Sequence, residues 1–154
     1  MGVATGILER LALVSRVVSV GARVDGRVGG WYRGLVEVDC GARSVDLVER
    51  GETRVPGGRR VGAASANRWW VDGGLLRLAH LREGRDRPVG IAAFELGVDG
   101  SAPSAAEPAD SVEPHVCDRD LYTASLWLDG SGRVRLAWRI ETPGGVERLS
   151  LRYR

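Results

Sequence analysis

Apolar and polar positions alternate with a period of two along most of the chain, and short clusters rich in glycine, aspartate and proline separate the alternating runs. Successive side chains of an extended backbone point to opposite faces, so each such run is a strand with one face on a core and the other on water. The clearest case lies near the C-terminus. Val134, Leu136, Trp138 and Ile140 fall on one face, and Arg133, Arg135 and Arg139 on the other. Leu149, Leu151 and Tyr153 alternate in the same way with Arg148, Ser150, Arg152 and Arg154, and Thr142-Pro143-Gly144-Gly145 supplies the turn between the two runs. Leu121–Leu128 precedes them across Asp129-Gly130-Ser131-Gly132, so three antiparallel strands close the chain as a meander. Further strands are predicted at Leu35–Val38, Ser44–Glu49, Arg60–Ala64, Asn67–Val71, Leu75–Leu81 and Val89–Leu96.

Two stretches depart from this pattern. Gly6–Val20 sets Ile7, Leu8, Leu11 and Val14 or Ser15 at helical spacing, while Val14, Val17, Val18 and Val20 favour extended backbone in its second half. A short N-terminal helix or arm is expected there. Residues 97–114 are poor in large apolar side chains, contain Pro103, Pro108 and Pro114, and show no period, which predicts an exposed flexible loop. Many short strands with glycine-rich turns and scarcely a helix mean a sandwich or a barrel. Consecutive strand order favours the barrel, because closure removes the exposed edges of a long meander. The expectation is an all-β, antiparallel up-and-down barrel of roughly eight to ten strands, with residues 1–154 as a single domain. Such a barrel has room inside for one small ligand.

Charge narrows the partners. All 22 basic residues are arginine, the formal net charge is +2, and the arginines are spread along the chain without forming a patch. Arginine forks suit phosphate, but a dispersed set gives no nucleic-acid footprint, and no nucleic-acid partner is expected. Glu9, Arg10 and Arg16 interrupt the apolar N-terminal stretch, so it does not read as a signal peptide, and no run approaches a membrane span. The expected setting is cytoplasmic, without a membrane partner, and as a monomer or homodimer. Cys40 and Cys117 are far apart and imply no disulfide framework.

The chemistry concentrates in His115-x-Cys117-Asp118-x-Asp120-x-Tyr122, just ahead of the Leu121–Leu128 strand. His115 and Cys117 share one strand face, so a shared metal ion is conceivable, but Asp120 has the opposite parity and would need a bulge at Asp118-Arg119. Cys117 beside His115 could be an activated thiolate oriented through Asp120. A general acid–base role for His115, Asp120 or Tyr122 needs no nucleophile. Against these stands a structural reading in which the cluster is the rim of a barrel. Five of nine aromatic residues are tryptophan, and Trp69, Trp70, Trp127 and Trp138 are candidates for a ligand-lining wall as well as for the core. Trp69 and Trp70 must face opposite ways if extended. Arg60, Arg68, Arg77 and Arg139 interrupt apolar strands, and Arg77 and Arg139 are taken as ligand-binding candidates together with Cys117.

The string His115-x-Cys117-x-x-Asp120-x-Tyr122, then Trp138-Arg139-Ile140, a Pro-Gly turn and the closing Leu151-Arg152-Tyr153-Arg154, resembles a bacterial family known only by a domain-of-unknown-function label. Leu47-Val48-Glu49-Arg50-Gly51-Glu52, Arg59-Arg60 and the Trp69-Trp70-Val71-Asp72-Gly73-Gly74 stretch fit the same family more loosely. The resemblance implies a calycin-like (lipocalin-like) barrel and transfers no reaction. The family's last hairpin has a Gly-Pro-x-Lys turn, where this chain has Thr142-Pro143-Gly144-Gly145 and no lysine, and its N-terminal tryptophan is missing from Leu11–Val20.

Two functions follow. One is a binding protein that holds a small apolar or amphipathic molecule inside the barrel. The other is a cofactor-free isomerase or cyclase in which His115, Asp120 and Tyr122 move protons and the barrel orients its substrate. No metal or cofactor is required by either. Haem held by His115 or His80 is a third reading.

Overall fold

The computed structural model describes residues 2–23, 28–54, 58–97 and 101–154, without the side chains of 22, 23 and 28–30. Helix α1 spans Val3–Leu11. The strands are β1 (Arg16–Arg23), β2 (Val28–Cys40), β3 (Ser44–Arg54), β4 (Arg60–Asp72), β5 (Leu75–His80), β6 (Val89–Glu95), β7 (Ala109–Asp110), β8 (His115–Cys117), β9 (Asp120–Leu128), β10 (Val134–Thr142) and β11 (Gly145–Tyr153). They form one antiparallel sheet in the spatial order β6-β5-β4-β3-β2-β1-β11-β10-β9-β7, with β8 also on β9. The two ends of this order meet where Phe94 bridges to Ser111 and the Val112 amide donates to the Ala93 carbonyl at 2.9 Å. The result is the expected up-and-down antiparallel barrel, nearly closed and carrying one short helix.

The ambiguous N-terminal stretch is both things in turn. The helix ends at Leu11, and β1 starts at Arg16, where β-branched residues gather. The two predicted strands Arg60–Ala64 and Asn67–Val71 are one continuous β4, because Ser65 and Ala66 pair with Glu49 and Val48 without a break. β3 runs on to Arg54, past the predicted end at Glu49, so the separator expected at Gly51–Gly58 is strand over its first four residues, and 55–57 lie outside the described residues. Of the segment 97–114, residues 98–100 lie outside the described set. The remainder is fastened to the barrel: the Leu128 amide donates to the Pro103 carbonyl at 2.9 Å, and β7 pairs with β9. Among the described residues no helix is long and apolar enough to cross a membrane.

One end of the barrel is sealed. Helix α1 buries Ile7, Leu8 and Leu11 over it, and Val14 and Val17 follow them into the same core. Beneath the helix Trp69, 0% exposed, stacks on Phe94 with ring centroids 6.4 Å apart and meets the Tyr153 ring edge-on. Leu47, Leu76, Leu126 and Val134 complete this layer. Each lies on the strand face that alternation assigns to the interior.

In the β2–β3 ladder Gly34 and Gly51 sit opposite each other. A Cβ on Gly51 would overlap the Arg33 carbonyl oxygen and the Gly34 Cα, and one on Gly34 would strike the Tyr32 phenol. Gly34 therefore leaves room for the Tyr32 ring along the inner wall, and Gly51 leaves room for the β2 backbone beside it. Because backbone cannot move aside as a flexible side chain can, Gly51→Ala is expected to destabilise the protein by about 3 kcal/mol. Gly62→Ala, in open space on β4, should change stability by less than about 0.5 kcal/mol. Urea denaturation midpoints of the two variants check this.

Candidate functional site

The apolar layer stops about halfway through the barrel, and the other half encloses a cavity of about 450 Å³. Its wall is mostly aliphatic and aromatic, with Leu78, Ile91, Leu136, Trp138, Leu149 and Leu151 contributing from four strands. A cavity of this size and lining falls within the ~300–1,000 Å³ range of sites for drug-sized molecules.

The structure brings four of the expected site residues to this cavity: His115, Cys117, Tyr122 and Trp138. Tyr122 stands between the other two rings, with its centroid 6.0 Å from His115 and 6.2 Å, edge-on, from Trp138. Burial raises the Tyr122 pKa, helped by the charges of Asp120, Cys117 and Glu147, so its hydroxyl keeps its proton. No bulge is needed to bring Asp120 towards Cys117. Asp118 and Arg119 form a tight turn, Asp118 takes the left-handed conformation at φ 54°, and Asp120 pairs with Cys117 across the hairpin. Asp120 itself starts β9 beside the cavity without lining it. Both cysteines are free and exposed.

The other expected residues lie elsewhere. Trp69 fills the core below the cavity, and its neighbour Trp70 is half-buried on the outer face. Trp127 and Arg139 alternate with inward Leu126 and Trp138 and so face out, where Arg139 pairs with Glu141. Arg77 alternates with Leu76 and Leu78 and pairs with Asp72 at 3.1 Å. Arg60 is exposed at the start of β4. Arg68 is also outward, and its fork donates to both carboxylate oxygens of buried Asp46, from Nε at 2.7 Å and Nη2 at 2.9 Å.

The cavity's most unusual groups are ones the sequence pattern did not single out. Glu49 on β3 follows Val45 and Leu47 on the inward face and is only 3% exposed. Its Oε1 has no hydrogen-bond partner, and neither has the hydroxyl of Tyr32 on the facing part of β2. Burial pushes the Glu49 carboxyl from an ordinary 4.5 up to about 7. Burial also raises the Tyr32 and Tyr153 phenols, with the Glu49 charge adding to both. The signal available was parity: an acid two residues beyond Leu47 shares its face, but the predicted strand ended at Glu49.

A second polar group continues along the wall. Ser65 pairs with Glu49 across the ladder, and Asn67 pairs with His80. Asn67 Nδ2 donates to Ser65 Oγ at 3.3 Å, which turns its carbonyl oxygen towards His80 Nδ1 at 2.7 Å. A carbonyl oxygen only accepts, so His80 Nδ1 carries the proton and Nε2 keeps a free lone pair. Burial lowers the His80 pKa, and the charges of Arg82 and His115 lower it further, so the imidazole is neutral near pH 7. Among the described residues no three side chains of His, Cys, Asp or Glu converge as a metal site requires.

No protein-family model matches the chain, and a comparison with curated proteins finds no match either. Among solved structures the chain is similar to the S-type phycobiliprotein lyase CPES from Guillardia theta. The likeness covers 99% of this chain and 92% of that one, at 10% identity and a TM-score of 0.64. At that identity the likeness establishes the barrel fold alone. A redesigned beta barrel, mFAP1, bound to DFHBI matches at a TM-score of 0.39 and 11% identity, over 96% of this chain and 99% of that one, too loosely to carry an argument.

Glu49 has a stability consequence of definite sign. Its folded pKa lies above the unfolded one, so both states are protonated at pH 4 and no penalty exists there. Between 4.5 and about 7 the unfolded chain gives up the proton first, and the folded state loses stability by up to about 3 kcal/mol. Glu49→Gln is therefore expected to raise the urea midpoint at pH 8 and leave it nearly unchanged at pH 4.

Proposed function

We propose that the protein is a small-molecule binding barrel that holds an amphipathic, largely apolar ligand in its interior. The observation that carries this reading is the cavity of about 450 Å³, with aliphatic and aromatic walls and a few inward polar groups. Filling it with side chains would have cost the fold nothing, since the sealed half of the same barrel is packed that way. The barrel shared with a phycobiliprotein lyase supports the reading as a fold only. Trp138 and Tyr122 give the ligand rigid aromatic surface, while His115 and Cys117 lie on the β8 hairpin beside them.

Proton-transfer chemistry on the bound molecule, of the isomerase or cyclase kind, is the second reading. One observation favours it: His80 is oriented by Asn67 and kept neutral with a free lone pair, in a cavity that Tyr122 and His115 also line. Asp120 acts in that reading through Tyr122, whose pKa its charge helps to raise.

The binding reading is tested with N-phenyl-1-naphthylamine, a neutral apolar probe whose emission rises and shifts to the blue on leaving water. Saturable binding of one probe per chain is expected, and Ala63→Trp, which places an indole over the cavity, should weaken it by about tenfold with an unchanged far-ultraviolet circular dichroism spectrum. Absence of saturable binding would sink this reading. Native mass spectrometry of the freshly purified protein identifies any retained molecule. If that molecule is turned over, loss of turnover with retained affinity in His80→Ala separates the enzyme from the carrier.

A further inference from the structure

Glu49 is buried, faces the cavity and is left without the partner that a buried acid requires. Its ladder neighbours are Val36 on β2 and Ser65 on β4, and its neighbours along the inner face of β3 are Leu47 and Gly51. None of these is cationic. The ionisable groups that its charge reaches from β2 and β11 are the phenols of Tyr32 and Tyr153. The cavity's basic side chains, Arg82 with His80 and His115, come from the end of β5, the residues just after it, and β8. Burying a carboxyl without a partner costs folding free energy and gains it nothing. The seat of the phenol is built, since the absence of a Cβ at Gly34 is what lets the Tyr32 ring lie on the wall. The Tyr32 hydroxyl is buried and unpaired as well.

We infer that Glu49 and Tyr32 form a subsite for a protonated ligand nitrogen, so that the barrel selects amphipathic amines over alcohols and acids of equal size. An ammonium group carries only donors, and the subsite offers what it lacks: a carboxylate oxygen and a phenol oxygen, both without other partners. The apolar remainder of the molecule then lies against Leu136, Trp138, Leu149 and Leu151. An acid of the same length would set two carboxylates together, and an alcohol would satisfy only one acceptor. This subsite rests on the reading of the barrel as a binder and adds the chemical class of its ligand.

Isothermal titration calorimetry at pH 7.5 with decylamine, decanol and decanoate tests it on the whole protein and on Glu49→Gln. Decylamine is expected to bind the native protein at least about tenfold more tightly than decanol, with decanoate weakest. In Glu49→Gln the amine should fall to the level of the alcohol while decanol keeps its affinity. Tyr32→Phe, which retains the ring and loses only the oxygen, should reduce the amine preference by about threefold and serves if the first variant does not fold. Equal affinities for amine and alcohol in the native protein, or a preference that survives both substitutions, overturn the subsite and leave the binding barrel standing. Failure of all three compounds to bind removes the barrel reading and the subsite with it.

Discussion

The pairing of β1 with β11 joins the first half of the chain to the last. Arg16 and Arg154 exchange backbone hydrogen bonds at 2.8 Å, and the register then runs from Val17 opposite Tyr153 to Arg23 opposite Glu147. Without this ladder β1 to β6 and β7 to β11 would be joined only through the Phe94–Ser111 bridge and the Val112–Ala93 hydrogen bond. The register also decides what the interior contains. Val17 and Tyr153 meet in the sealed layer, while Ser19 and Leu151, two residues further along, meet at the cavity. The helix has to stop at Leu11 for this to happen, and the β-branched run from Val14 to Val20 disfavours its continuation.

Interior polar groups in this barrel fall into two kinds. Asp46 is buried from the outside and fully answered by the Arg68 fork, so it is a structural pair. Glu49, three residues on and of opposite parity, is buried from the inside and unanswered. Two acids on one strand thus have opposite roles, and the difference comes from the pleat that turns one away from the cavity and the other into it. Ser65, Asn67 and His80 beside Glu49 are linked by their own hydrogen bonds, whereas Glu49 Oε1 and the Tyr32 hydroxyl are buried on that wall without a partner.

Alternation made the meander from Leu121 to Tyr153 legible in the sequence, and the barrel follows from consecutive antiparallel order. Parity correctly put Trp138 inside with Leu136 and Ile140, but for Trp69 and Trp70 it could say only that they differ. Trp69 went to the packed layer because that end of β4 lies under the helix, and nothing local to the dipeptide records which end is sealed. Arg77 and Arg139 looked like interior charge because they interrupt apolar runs, yet an interrupting residue is by parity the outward one. Glu49 was hidden at the predicted end of a strand that runs on five residues to Arg54. Depth along the barrel axis, which separates filled from hollow, is set by the stagger of strands distant in sequence, and a single strand's pattern does not carry it.

The seam between β6 and β7 gives the barrel a direction in which to yield. Most neighbouring strands share ladders of six pairs or more, whereas this closure rests on the Phe94–Ser111 bridge and the adjoining Val112–Ala93 hydrogen bond. Immediately beside it lies a shallow recess bounded by Leu75, Arg77, Gly90–Ala93 and Val112–His115, and Ile91 and His115 belong to this recess and to the interior cavity alike. Parting those few bonds leaves every long ladder intact and gapes the wall sideways at a histidine. The cylinder is in this respect a cuff with one small clasp, and Ile91 and His115 stand on that flank between the interior and the outer recess.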